Sequence, residues 1–135
     1  MRLEVITLDK PNRKFSRSVQ KISRQLEELL KYKGLVEVYL ISGRRMRFLN
    51  KNFRKKDMPT NVLSFQKPKG FPGNGLGEVY LDPVYIQKHK ESLSLMLAHG
   101  VLHILGYDHV HKSDRIKMEK KEAKLLSKIQ MPKSK

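Results

Sequence analysis

Hydrophobic and polar residues alternate in the segments that we predict to be β-strands. The period of two is clearest in 2–8 and 35–41, where successive side chains fall on opposite sides of an extended chain. Short apolar runs at 61–65 and 76–81 predict two further strands, and the stretch 67–75 between them, rich in Gly and Pro, predicts a loop. The chain therefore predicts a small sheet of roughly four strands.

Apolar residues at intervals of three and four predict helices between and after these strands. Ser16 is placed to cap the first helix, which ends near Gly34, and Ser42 is placed to cap a short second one. Pro83 opens a helical turn, and Ser113 is placed to cap a final helix. The apolar positions of the first helix are Val19, Ile22, Leu26, Leu29 and Leu30, and those of the second are Met46, Leu49 and Phe53.

The segment 91–105 differs from the other helices because it is apolar nearly all round. A helix of that kind is buried, and Gly106 is placed to end it. Together these elements predict an α+β fold, a single small domain over 1–135, with a sheet, surrounding helices and one central buried helix.

Composition narrows the class of protein further. The chain of 135 residues has no cysteine, which excludes disulfides and thiolate metal sites. No apolar run is long enough to span a bilayer, and the N-terminal segment MRLEVITLDK lacks the apolar core of a signal peptide. We therefore expect a cytoplasmic protein that makes no membrane contact.

The positive charge of the chain points to a polyanionic partner. Lys and Arg number 29 against 13 acids, for a net charge of +16. The run Arg44–Lys56 has seven cations and no acid, and Lys112–Lys135, with the basic tail from Pro132, has nine cations against three acids. These segments suit contact with nucleic-acid phosphates, although a solubility device or heat adaptation would also give a basic surface.

Three of the five histidines lie in the short segment HGVLHILGYDH, which runs from His99 to His109. His99 and His103 are four residues apart and share one helix face, and the break at Gly106 returns His109 toward them. The H-x3-H-x5-H spacing is that of metzincin metal sites, so we predict one Zn²⁺ per chain on the three imidazoles. Hydrogen-bonded core histidines and a purely structural metal site are the alternatives.

Gly100 departs from the metzincin motif, in which a glutamate follows the first histidine. A zinc protease needs that carboxylate as its general base, and glycine has no side chain to accept a proton. The spacing thus predicts a metal centre but argues against proteolysis. A phosphodiester suits a metal centre on a basic protein better, because the metal stabilises its developing negative charge.

Three stretches of the chain together resemble the YbeY family of bacterial rRNA maturation factors. They are HGVLHILGYDH, the segment DMPTNVLSF (Asp57–Phe65) and the segment LGEVYLD (Leu76–Asp82). The resemblance implies a single-strand-specific zinc endoribonuclease that acts in 16S rRNA 3′-end maturation and ribosome quality control. It also implies catalytic roles for His99, His103, His109 and Arg54, with precursor 16S rRNA, the small ribosomal subunit and other ribosome-associated proteins as partners.

Several roles around the predicted site stay open at this point. Asp108 either orients a histidine or is a turn residue, and Glu78 either accepts a proton or lies at an exposed strand end. Tyr107 either stacks on a base or packs on the core. Two other functions also stay open: a non-catalytic rRNA-binding assembly factor with a metal site, and a metal-dependent hydrolase of another substrate.

Overall fold

A four-stranded mixed sheet organises the fold, as the sequence predicts. The computed structural model describes residues 1–130, and the predicted basic tail from Pro132 lies outside them. The strands are β1 (Arg2–Thr7), β2 (Leu35–Leu40), β3 (Val62–Gln66) and β4 (Gly75–Leu81). Their order in the sheet is β1-β2-β4-β3; β1, β2 and β4 run parallel, and the edge strand β3 runs antiparallel to β4.

Five α-helices surround the sheet, and the α+β class is confirmed. They are α1 (Arg13–Leu29), α2 (Gly43–Arg54), α3 (Pro83–Lys88), α4 (Leu93–Ile104) and α5 (Lys112–Lys128), with a 3-10 turn at Lys10–Asn12. In the part of the chain that the structure describes, none of them is long and apolar enough to cross a membrane.

The main core lies between one face of the sheet and the helices α1, α4 and α5. Alternate strand residues such as Val36, Val38 and Val79 point into it and are fully buried. The central helix α4 contributes Leu97 and Val101, and its buried residues lie on most sides of the helix, as its apolar sequence predicts. This packing fixes α4 against β3 and β4 and so positions the histidines that it carries.

The opposite face of the sheet carries a second, smaller core beneath α2. Met46 is its buried helix residue, and the strand side chains Leu63 and Tyr80 pack in the same cluster with Ile41, the residue after β2. Of the other two apolar positions predicted for this helix, Leu49 packs on the same cluster but Phe53 is 61% exposed. The helix thus covers this face only in part.

Two predicted helix caps are wrong and one is confirmed. The 3-10 turn at Lys10–Asn12 leads directly into α1, so the helix begins one turn before Ser16 and Asn12 occupies the cap position. Likewise α5 already begins at Lys112, which places Ser113 inside the helix. Ser42 does cap α2, since its side chain accepts a hydrogen bond from the N–H of Arg45.

Candidate metal centre and catalytic cleft

The three predicted histidine ligands converge at the C-terminal end of α4. Nε2 of His99 and Nε2 of His103 lie 3.1 Å apart, because the residues are one helical turn apart on the same face. Gly106 then takes a positive φ of 102°, and the turn brings the His109 ring centroid to 4.8 Å from that of His103. One ligand atom from each residue lies within 4.8 Å of the other two, a geometry suited to a shared metal ion.

Hydrogen bonds at Nδ1 orient two of these imidazoles. His99 Nδ1 donates to the carboxylate of Glu122 on α5 at 2.6 Å, and His103 Nδ1 donates to the carbonyl oxygen of Tyr107 at 3.0 Å. Because both partners accept hydrogen bonds, the Nδ1 atoms carry the protons and the Nε2 atoms present lone pairs. Two lone pairs facing each other at 3.1 Å require a cation between them, either a proton or a metal ion.

The electrostatics of the cluster keep His103 in the form that can bind a metal ion. Burial, and next the neighbouring imidazoles of His99 and His109, lower the pKa of His103. A lowered pKa keeps the ring neutral near pH 7, which is the form that binds a metal. The donor set therefore fits a divalent cation such as Zn²⁺.

Glu122 is a functional candidate that the sequence analysis missed. It lies 23 residues beyond His99 in a helix otherwise rich in lysine, so only the packing of α5 on α4 brings the two together. Its carboxylate is the partner that metal-binding histidines commonly have, one that fixes the ring and raises its basicity.

We expect Glu122→Ala to lower the affinity of the protein for Zn²⁺ by about 10- to 100-fold, the usual cost of losing such a partner. Competition with a chromophoric chelator would measure it. Glu119→Ala, on the exposed side of the same helix, is the matched control and should leave the affinity unchanged. Equal affinity in both variants would contradict a supporting role for Glu122.

Gly100 lies where α4 packs closely on the sheet. A Cβ atom there would lie 2.8 Å from Val79 Cγ1 and 3.1 Å from both Ser64 Oγ and Val62 Cγ2. Ser64 Oγ also donates a hydrogen bond to the carbonyl oxygen of Gly100 at 2.9 Å. The position therefore faces β3 and β4, which leaves no room for the glutamate side chain of the metzincin motif.

Gly100→Ala should destabilise the fold by about 1–2 kcal/mol, since overpacking a core costs roughly 1–3 kcal/mol and helix propensity returns up to about 1 kcal/mol. Urea denaturation would measure the change in the free energy of unfolding. Gly43→Ala is the control, because its Cβ would meet only Asp82 Oδ2 at an ordinary 3.4 Å. A Gly100→Ala protein as stable as wild type would show that α4 can move off the sheet.

Arg54 lies in the same cleft as the three histidines. The cleft has a volume of about 770 Å³ and is lined along one side by the edge strand β3. The Arg54 guanidinium donates to the carbonyl oxygen of Ser64 at 3.0 Å and lies 5.3 Å from the centroid of the Phe65 ring. The hydrogen bond uses one N–H of the guanidinium group, and other N–H groups of Arg54 remain for a ligand in the cleft.

The positions of three neighbouring residues, Asp108, Tyr107 and Glu78, bear on the roles that the sequence left open. Asp108 lines the cleft, but its carboxylate accepts from the N–H of Val110 at 2.9 Å, so it is a turn residue and does not orient a histidine. Tyr107 also lines the cleft and packs against the main core. The idea that Glu78 accepts a proton is wrong: it lies on the sheet face opposite α4, because its neighbour Val79 faces Gly100.

The remaining two histidines lie outside the metal cluster. His89 is exposed, and its Nδ1 hydrogen-bonds the carbonyl of Tyr85. His111, two residues after His109, occupies the residue before α5. The cluster of described residues that can share a metal ion comprises only the three predicted histidines.

Fold and site together define a small α+β protein that can hold a metal ion on three histidines, in a cleft that Arg54 also lines. The family model of "Endoribonuclease YbeY" matches residues 4–130. The chain therefore belongs to the YbeY endoribonuclease family, and the predicted enzyme class, a metal-dependent endoribonuclease, is confirmed.

Individual relatives and one solved structure agree with this assignment. An endoribonuclease YbeY of Neorickettsia sennetsu is 42% identical over 106 residues, which cover 72% of this chain and 74% of that one. Another from Wolbachia pipientis is 33% identical and covers 98% of this chain and 97% of its own. A solution structure from Thermotoga maritima shares the fold, with a TM-score of 0.59 and 24% identity over 94% of this chain and 88% of that one.

Proposed function

We propose that the cleft cleaves single-stranded RNA, with one Zn²⁺ held by His99, His103 and His109, and that its substrate is the 3′ end of precursor 16S rRNA. The observation that carries the proposal is the convergence of three imidazoles and Arg54 on one cleft of a chain with a net charge of +16. The corresponding cellular role is maturation and quality control of the small ribosomal subunit. It takes place in the cytoplasm, beside other ribosome-associated proteins. The whole chain, 1–135, acts as one domain.

The histidines serve this chemistry by their fixed orientation. Glu122 and the Tyr107 carbonyl hold the rings of His99 and His103 with their Nε2 atoms toward the cleft. A metal ion bound there supplies Lewis acidity at a phosphate oxygen and lowers the pKa of water. His109 is exposed and completes the ligand set from the turn after α4.

Arg54 stabilises the negative charge that develops on the phosphate. Its planar guanidinium binds two phosphate oxygens at once, whereas an ammonium group acts as a single point charge. The hydrogen bond to the Ser64 carbonyl and the contact with the Phe65 ring hold this fork in place before substrate arrives. Such pre-organised charge stabilisation is a main source of rate enhancement in phosphoryl transfer.

Proton transfer has no dedicated carboxylate among the described residues that line the cleft. Asp108 is the only acid there, and the N–H of Val110 holds the pKa of its carboxyl below the usual range. A carboxylate with a low pKa is a weak general base at neutral pH. The side chains of the cleft therefore bind and orient the phosphodiester, and the substrate 2′-OH and water are the two candidate nucleophiles.

The test is cleavage of an RNA that spans the 3′ end of precursor 16S rRNA, by protein of known metal content. We expect cleavage of the single strand but not of the same RNA annealed to its complement. Cleavage should stop after dialysis against a chelator and return with Zn²⁺. Cleavage that survives metal removal, or equal cleavage of the duplex, would overturn the proposal, as would intact RNA at one bound metal ion per chain.

A further inference from the structure

A second cavity lies at the other end of α2, on the sheet face opposite α4. It has a volume of about 820 Å³ and opens between the start of α2 and the loop after β1. Its walls are apolar and its rim carries three cations. We call it the α2 groove; its walls include Leu8, Phe48 and Tyr80, and its rim is formed by Lys10, Arg44 and Arg45.

The α2 groove exposes two large apolar side chains that pack in neither hydrophobic core. Phe48 is 64% exposed and Leu8 is 45% exposed, although neither belongs to a hydrophobic core of the described residues. Exposed apolar surface rimmed by polar groups commonly marks a binding site. An aromatic ring beside arginines is the combination that grips unpaired bases and their phosphates.

A continuous series of aromatic rings joins the α2 groove to the catalytic cleft. Phe65 lines the cleft and contacts Tyr80 edge-to-face, with ring centroids 5.8 Å apart, and Tyr80 lines the groove. Phe53, 61% exposed, packs on Phe65 at 5.4 Å. The two cavities therefore lie next to each other beneath α2, separated by the contact between Phe65 and Tyr80.

The helix α2 sets the separation between the two cavities. Arg44 at its first turn rims the groove, and Arg54 at its last residue lies in the catalytic cleft. Ten residues of helix at 1.5 Å each give a separation of about 15 Å between their backbones. Lys51 lies on the exposed surface of the same helix, so positive charge continues along this path.

Charge on this side of the molecule favours RNA along α2 and disfavours it elsewhere on the sheet. Asp9 pairs with Arg45 at 3.2 Å, which leaves the rim of the groove net positive. Glu4, Glu37 and Glu78 lie directly beside one another near the middle of β1, β2 and β4, and Glu78 accepts a hydrogen bond from the Tyr80 hydroxyl at 2.8 Å. This acidic row repels a phosphate backbone from the remainder of the open face.

We propose that the α2 groove is a second RNA subsite, which holds an unpaired base of the substrate a few nucleotides from the phosphate that is cleaved. The proposal rests on the RNA substrate proposed above and adds where the flanking strand binds. Phe48 stacks on the base, and Lys10 and Arg44 bind the phosphates beside it. The enzyme thereby prefers single strands long enough to reach from the cleft to the groove.

The test compares binding of a short and a long single-stranded RNA, roughly 4 and roughly 12 nucleotides, by fluorescence anisotropy. We expect Phe48→Ala to weaken binding of the long RNA by about 5- to 150-fold and to leave the short RNA unaffected. Arg44→Gln, at an exposed position, should reduce the salt dependence of binding by about one phosphate contact. Tyr32→Ala and Lys31→Gln, in the loop after α1, are the matched controls.

A cross-link from 5-iodouridine in the long RNA to the peptide that contains Phe48 would give direct support. Unchanged binding of the long RNA to Phe48→Ala and Arg44→Gln would overturn the proposal and leave a protein partner for the groove. Equal weakening of the short and long RNA would also overturn it, because the groove would then not be a separate subsite. Binding does not require cleavage, so an RNA that binds through the groove but stays intact would count against the nuclease proposal alone.

Discussion

Replacement of His103 with alanine is expected to abolish both metal binding and RNA cleavage. His103 is central to the cluster, with its Nε2 3.1 Å from that of His99 and its ring centroid 4.8 Å from that of His109. Its loss leaves two donors where a catalytic site needs three. We expect the affinity for Zn²⁺ to fall by more than about 100-fold, beyond the loss of a supporting partner, and cleavage to fall by roughly 1,000-fold or more.

Metal content per chain and single-turnover cleavage of a single-stranded RNA would measure these losses. His111→Ala is the matched control, because this histidine is near in sequence but outside the cluster. Circular dichroism and RNA binding should be unchanged in both variants, because His103 is only half-buried and His111 is exposed. Cleavage retained by a folded, metal-free His103→Ala protein would contradict the assignment of the metal centre.

Replacement of Arg54 with lysine should lower the rate of cleavage about 100-fold while RNA binding changes only a few-fold. The lysine keeps the positive charge but loses the planar fork, and it cannot bind two phosphate oxygens in the same geometry. Because that geometry matters most when charge develops, kcat should fall far more than the dissociation constant rises.

Arg47→Lys is the control for this substitution, because Arg47 lies on the same helix and pairs with Asp57 at 2.7 Å, outside the cleft. Full cleavage curves beside equilibrium binding would separate the two effects. Equal losses of cleavage and binding in Arg54→Lys would assign Arg54 to phosphate binding alone. An unchanged rate would remove it from the active site.

The elements whose pattern is set by burial could be predicted from the sequence. Alternation of apolar and polar residues predicted β1 and β2, and the apolar segment 91–105 predicted α4. The i,i+4 spacing of His99 and His103, with the break at Gly106, predicted the histidine cluster. These predictions succeed because each feature depends only on residues in one or two neighbouring turns or strands. The position of Glu78 was predictable on the same ground, since a period of two places it on the face opposite Val79.

Features that depend on distant packing could not be predicted in this way. Glu122 meets His99 only because α5 packs on α4, and nothing local marks it among its neighbours. The predicted caps at Ser16 and Ser113 are wrong because both helices begin earlier. The first follows the 3-10 turn directly, with Asn12 at its cap position, and the last has His111 at its cap position. The role of Arg54 came from the family resemblance, as seven cations in Arg44–Lys56 look alike by composition.

The close packing of α4 on the sheet at Gly100 has a consequence for the order of folding and metal binding: we expect the chain to fold first. His99 and His103 lie on the core helix α4 and are oriented by their Nδ1 partners, so we expect these two histidines to be in place as soon as the chain folds. The third, His109, is exposed on the turn after Gly106. Small zinc domains fold only with their metal, whereas we expect this protein to be folded before a metal ion binds. We then expect a bound ion to exchange through the one exposed histidine, His109, so that occupancy of the site follows the supply of metal.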